Sequence, residues 1–200
     1  MSEARWAAGE RLELTTVEAL HAWLVTHHDT STGVWLVRWK KGHGPYVPYP
    51  EMVRELLCFG WIDGQARKVD DDRSAVLICP RRPGGGWSRV NKEHIEVLRA
   101  GGRMQPAGEA AIARAVDDGS WTTLDEVETL REPADLRAAL DAVPAAREAW
   151  DGFPRSTRRA ILEWISSAKR EPTRARRVAE TVSEAAAGRR ANQPRQPRGR

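Results

Sequence analysis

"PYPEMVRELLCFGWIDGQARKVDDDRSAVLICP", residues 48–80, contains a helix, a strand, a turn and a returning strand in one run. Pro50 stands near the first helical position and Gly60 just past the end, the asymmetry that helices favour. Between them Met52, Val53, Leu56, Leu57 and Phe59 recur at helical spacing, which predicts a helix with one buried face. Trp61-Ile62 resumes the chain as a strand, and Asp63-Gly64 supplies a turn or bulge. Ala66 and Lys68 then alternate with Arg67 and Val69. "DDDR" (70–73) reverses the chain, and "SAVLICP" (74–80) returns as the partner strand until Pro80 stops it. A small antiparallel sheet with a helix packed on it is the expectation.

On the N-terminal side, "TTVEALHAWLVTHH" (15–28) places Val17, Leu20, Leu24 and Val25 on one helical face, with Thr15 or Thr16 as the cap. "VWLVRWKK" (34–41) reads as a strand in which Trp35, Val37 and Trp39 share a face. From residue 87 onward the pattern is helical. Ser88 caps "SRVNKEHIEVLRAGG", Pro106 opens "PAGEAAIARAVDDG", and three further helical stretches run from residue 135 to Gly188 with a boundary at Pro144. The expected class is α+β: a small antiparallel sheet with packed helices, then a helical C-terminal region. The expected boundaries are a flexible leader (1–11), an α+β domain (12–122), a helical region packed on it (123–188) and a disordered basic tail (189–200).

The charge of +4 is an uneven average. From residue 169 to 200 there are 10 Lys+Arg against 3 Asp+Glu, so the body of the chain is close to neutral. Arginine outnumbers lysine 27 to 5, so basic patches have to be argued from position rather than from count. The cysteines are Cys58 and Cys79, in apolar contexts that read as thiols rather than a disulfide framework. "MSEARWAAGERLEL" has charges where an export signal needs an apolar core, and no apolar run approaches a membrane span. A cytoplasmic location is the expectation.

Several stretches together carry a resemblance. "CFGWIDGQARKVDDDR" (58–73), "CPRRPGGGWSRVNKEHIEVLRAGGRMQPAGEAAI" (79–112), "VWLVRWKKG" (34–42) and "LEWISSAKREPTRARRV" (162–178) resemble the YdeI/OmpD-associated family, also described as bacteriocin-protection proteins. The resemblance covers roughly residues 12–190. It implies an α+β domain with a helical C-terminal half and an association with resistance to cationic antimicrobial peptides. It implies no particular reaction.

The residues themselves point to one candidate site. In "PRRPGGGWS" (80–88), Arg81 and Arg82 stand between two prolines, and Gly85 and Gly86 leave backbone N–H groups able to face a ligand. Ser88 opens a helix whose N-terminus favours an anion, with Asn91 in its first turn. Trp61 and Trp87 offer flat faces near the loop, and Arg73 adds a cation. A small anion or a protein partner is the expected occupant; the alternative is that the glycines are a link and the arginines are solvated. No Gly-Lys-Ser/Thr follows, so the loop is not a Walker loop.

Asp63 is the acid–base candidate for an enzyme acting on a phosphorylated or carboxylated small molecule. An ion pair to Arg67, Arg73 or Arg81 is the plainer reading of it. Asp70, Asp71 and Asp72 in an extended turn point in different directions and cannot all meet one ion, so no metal is expected. No cofactor motif is present. Lys169, Arg170, Arg174, Arg176 and Arg177 form a basic corner that could touch a nucleic-acid backbone, or be a solvated face. The acidic segment "DEVETLREPAD" (125–135) is the patch for a cationic peptide, or a solvated linker.

Overall fold

A computed structural model describes Trp6 and residues 9–192. The chain divides into two compact units between Thr122 and Thr123. The first runs β1 (Arg11–Leu14), α1 (Val17–His27), β2 (Val34–Trp39), α2 (Tyr49–Cys58), β3 (Trp61–Lys68), β4 (Arg73–Pro80), α3 (Arg89–Ala100) and α4 (Pro106–Asp117). The second is helical: α5 (Asp125–Glu128), α6 (Ala134–Asp141), α7 (Pro144–Asp151), α8 (Arg155–Ser166) and α9 (Glu171–Ala186). The class is α+β.

The sheet order is β1-β2-β4-β3. It is mixed rather than antiparallel, because β1 pairs parallel with β2. The other two pairings are antiparallel. The cause is α1, since a helix crossing between two strands returns the second in the direction of the first. With four residues and Leu14 as its one buried side chain, β1 carries little alternation of its own. Arg11, placed in the leader by the sequence, opens this strand. Residues 1–5, 7 and 8 of that leader, and 193–200 of the expected basic tail, lie outside the described residues.

Val34, Leu36, Val76, Ile78 and Trp61 face the helices and share a core with Leu20, Leu24, Met52, Leu56, Ile95, Leu98 and Ile112. Each such side chain contributes roughly 1.5–3 kcal/mol through burial. On the other face Trp35, Val37, Ala75 and Leu77 cluster, with Trp6 edge-on to Trp35 at 5.1 Å. The hairpin of β3 and β4 carries its bulge between Asp63 and Ala66, where the Asp63-Gly64 signal lies.

Two glycines decide where α4 can sit. Gly60 has φ +71°, and a Cβ there would come 2.7 Å from the Ala111 Cβ. A Cβ on Gly108 would come 2.3 Å from the Cys58 carbonyl oxygen. The close approach they permit seats α4 against the end of α2, which brings the end of α4 to the segment following β4.

In the second unit Leu136, Leu140, Trp150, Ile161, Leu162 and Ile165 form the core. The acidic segment 125–135 is not a solvated linker: it contains α5, and its carboxylates hold arginines. Glu132 pairs with Arg147 at 2.7 Å and accepts the Trp150 indole N–H at 2.7 Å. Glu128 pairs with Arg159 at 2.7 Å, and Asp135 with Arg174 at 2.7 Å. Within the stretch expected as tail, Arg189 pairs with Glu184 and Ala191 is buried.

Candidate functional site

Pro80 ends β4 opposite Trp61, and the Arg81 N–H extends the pairing by donating to the Gly60 carbonyl at 2.9 Å. The chain then leaves the sheet through Gly84, at φ +74°, and reaches Ser88, whose hydroxyl accepts the Asn91 N–H at 3.3 Å and caps α3. This short path folds Arg81 back over Trp87. The guanidinium lies 3.7 Å from the ring centroid, and the buried Trp87 ring packs on Trp121 at 5.2 Å. Burial lowers the Arg81 pKa to about 10, against the opposing charge of Asp63.

Hydrogen bonding does not repay that burial. Nη1 of Arg81 makes one long bond of 3.4 Å to the Gly86 carbonyl, while Nε and Nη2 are buried without a partner. A buried donor left unpaired costs about 1–3 kcal/mol, and more when charged. Arg81 lines a shallow cleft, open to solvent, with Arg82, Pro83, Trp87, Arg114, Asp118 and Ser120.

Asp118, just past α4, closes this loop. One carboxylate oxygen accepts the Gly84 N–H at 2.8 Å and the other accepts the Ser120 N–H at 2.9 Å. The Ser120 bonds foremost, then Gly84, hold the carboxyl below its usual range. The central amide of the glycine loop is therefore occupied by the protein's own carboxylate, and the Gly85 N–H turns to the Arg82 carbonyl at 3.3 Å. Sequence reasoning missed Asp118 and Arg114, because "ARAVDDG" reads locally as a helix end and nothing more.

Of the expected residues, Arg81, Arg82 and Trp87 line the cleft, whereas Gly85, Gly86 and Ser88 belong to the same loop without lining it and Asn91 joins through its backbone cap. Two expected members fall elsewhere. Trp61 is 1% exposed, edge-on to Trp23, and its indole N–H donates to the His28 carbonyl at 3.2 Å, so its faces belong to the core. Arg73 begins β4 while Arg81 follows its end, about 25 Å away at strand rise. It pairs with Asp70 at 2.8 Å and lies over Trp39.

Asp63 finds a tyrosine rather than an arginine. Its Oδ2 accepts the Tyr49 hydroxyl at 2.6 Å, and burial followed by that bond pushes the Tyr49 pKa up to about 12. The three aspartates diverge: Asp70 accepts the Asp72 and Arg73 N–H groups, Asp71 meets Lys68, and Asp72 meets His43. Among the described residues no three His, Cys, Asp or Glu side chains are grouped to hold a metal ion. No helix among them is long and apolar enough to cross a membrane.

In the basic corner, Arg174 is held by Asp135, Arg176 pairs with Glu180, and Arg177 donates to the Trp164 carbonyl and the Ser167 hydroxyl. Lys169 and Arg170 are exposed. A further cluster went unread. Glu55, 1% exposed, meets Nδ1 of His21 at 2.6 Å and Nη2 of Arg103 at 2.6 Å. Its signal was present, since Glu55 falls inside the apolar stripe of Met52, Leu56 and Phe59, where a charge needs partners.

Residues 12–111 match a domain of unknown function (DUF8412), and residues 129–188 match the family described as Bacteriocin-protection, YdeI or OmpD-Associated. The chain belongs to the DUF8412 family and carries a YdeI/OmpD-associated domain. "LEWISSAKREPTRARRV" lies inside the YdeI/OmpD-associated match, whereas the hairpin and the glycine loop fall in the DUF8412 match. The division between Thr122 and Thr123 lies between the two matched spans. No curated protein and no solved structure matches the chain.

Proposed function

We propose that this is a cytoplasmic protection protein that acts by binding rather than by chemistry, and that its N-terminal unit captures an anionic group in the cleft under Arg81. The observation carrying this reading is the buried Arg81 guanidinium, stacked on Trp87, with two N–H-bearing nitrogens unsatisfied beside Arg82 and Arg114. The bacteriocin-protection description of the family matched by residues 129–188 supplies the biological setting. Free Cys58 and Cys79 fit a reducing compartment.

The cleft lining favours binding over turnover. Among the described residues lining it there is no histidine, cysteine or glutamate, and the carboxylate there, Asp118, accepts backbone N–H groups on both oxygens. Asp63 accepts a hydrogen bond from Tyr49 and is not among the residues lining the cleft, so the enzyme alternative does not draw on the Arg81 cleft. The nucleic-acid alternative rests on Lys169 and Arg170, since their three neighbours are engaged within the second unit.

A thermal-shift panel of inorganic phosphate, sulfate, nucleotides, carboxylates, short RNA and a cationic peptide tests the reading. A ligand at ~100 times its Kd adds about 2.7 kcal/mol. For a chain of this size that raises Tm by roughly 5–10 °C. The expected result is a shift with small anions that disappears in an Arg81→Ala, Arg82→Ala double variant. No response to any anion, or an equal response in the variant, overturns it.

A further inference from the structure

The glycine loop already holds an anion, and that anion is Asp118. Three observations converge on this point. The Gly84 N–H, at the centre of the loop, donates to Asp118 at 2.8 Å. The two unsatisfied nitrogens of Arg81, Nε and Nη2, share one edge of the guanidinium, the fork that grips a carboxylate or phosphate with two parallel bonds. Both are shielded from solvent, and the loop carrying Gly84 and Gly86 is tied down by Asp118 at one point and by Arg81 at the other. An incoming oxyanion therefore competes with a carboxylate for the loop while satisfying an arginine edge that the fold leaves unpaired.

Resting on the anion-binding reading above, we infer that the cleft receives the phosphate-type dianion of a ligand and that Asp118 is its built-in competitor, latching the loop until that group displaces it. The charges select between oxyanions. Arg81, Arg82 and Arg114 against Asp118 leave a formal excess of two positive charges among the lining residues. A dianion neutralises that excess, and a single carboxylate leaves half of it. Gly84 has φ +74°, and a Cβ there would meet nothing within 4 Å, so the loop has room to move when the latch opens.

The competitor makes a quantitative signature. Repulsion from Asp118 acts on each unit of ligand charge, so removing it strengthens a dianion by about the square of the factor gained by a monoanion. Sulfate and formate serve as the probes, titrated into the full chain at constant ionic strength while the Gly84 amide and Trp87 indole resonances are followed by NMR. The variants are Asp118→Asn, which keeps an acceptor for the Gly84 N–H, Asp118→Ala as a second removal of the charge, and Arg81→Met.

Sulfate is expected to move both resonances saturably in the parent chain, and more tightly than formate. Asp118→Asn is expected to tighten sulfate about tenfold and formate about threefold. Binding seen only after Asp118 is replaced overturns anion capture by the parent chain, and this inference with it. Sulfate binding that Arg81→Met abolishes but neither Asp118 variant tightens overturns the competitor and leaves the cleft reading standing. Sulfate binding indifferent to Arg81→Met, or absent from parent and Asp118 variants alike, overturns the cleft reading and this inference with it.

Discussion

Arg81 is a residue whose local energetics run against stability. Its charge is largely desolvated, its hydrogen bonding is one long contact, and its favourable interactions are the stack on Trp87 and the opposing charge of Asp63. A buried charge that lacks a partner is commonly improved by an apolar side chain of similar volume. Arg81→Met keeps a long chain against Trp87, and we expect it to hold or raise stability by about 1–2 kcal/mol while anion binding disappears. A calorimetric Tm unchanged or higher by a few degrees fits a residue retained for binding; a clear fall in Tm marks it as structural. The two cysteines separate on similar grounds. Burial, and next the charge of Glu55, push the Cys58 thiol up to about 11, whereas Cys79 is half-buried. Alkylation of the native protein at pH 8, mapped by mass spectrometry, should label Cys79 first and leave Cys58 until unfolding, because the thiolate is the reactive form. Early labelling of Cys58 contradicts the burial assigned to it.

Elements differed in how plainly their sequences spoke. The α2 helix and the β3–β4 hairpin were legible because their signals are local: apolar spacing, a proline at one end, a glycine at the other, an Asp-Gly bulge. The β1 strand was not, because "RLEL" gains its meaning only from the parallel edge that β2 presents after the α1 crossover. The candidate site divides in the same way. Arg81, Trp87 and Ser88 lie within one turn of chain and could be read together, while Asp118 arrives from the end of α4 through packing that no local pattern records. Gly108 is where that packing is decided. Alanine has the better helix propensity by about 0.8–1.0 kcal/mol. A Cβ there, however, meets backbone at Cys58 rather than a side chain that can swing aside. Overpacking of that kind costs about 1–3 kcal/mol, so Gly108→Ala is expected to lower stability despite the propensity gain. Because α4 carries Arg114 and leads directly into Asp118, the same variant should weaken sulfate binding; a chain that becomes more stable and binds sulfate as before refutes the packing argument.

Among the described residues, many acidic side chains are matched to basic ones within their own unit. Within the second unit, Glu128, Glu132 and Asp135 each hold an arginine from a helix further along the chain. The segment that looked like a patch for cationic peptides already has cations, and that makes the unit's stability depend on acid. Arg147 foremost, with the Trp150 indole assisting, holds the Glu132 carboxyl below its usual range against the effect of burial. Arg174 does the same for Asp135. A carboxyl whose folded pKa is depressed stabilises fully above its unfolded value, about 4, and that contribution is lost as pH falls through the folded value. The second unit should therefore be at full strength near neutrality and weaken below about pH 4. Glu132→Gln removes the charge while leaving an oxygen for the Trp150 N–H, so the expected loss at pH 7 is about 1–2 kcal/mol. In the variant the fall of stability between pH 5 and 3 should also be shallower, because one of the titrating groups is gone. Urea unfolding across that range, followed through Trp150 and its neighbours, checks both parts. An unchanged acid slope would mean that the Glu132–Arg147 contact contributes geometry but little free energy, as exposed ion pairs commonly do.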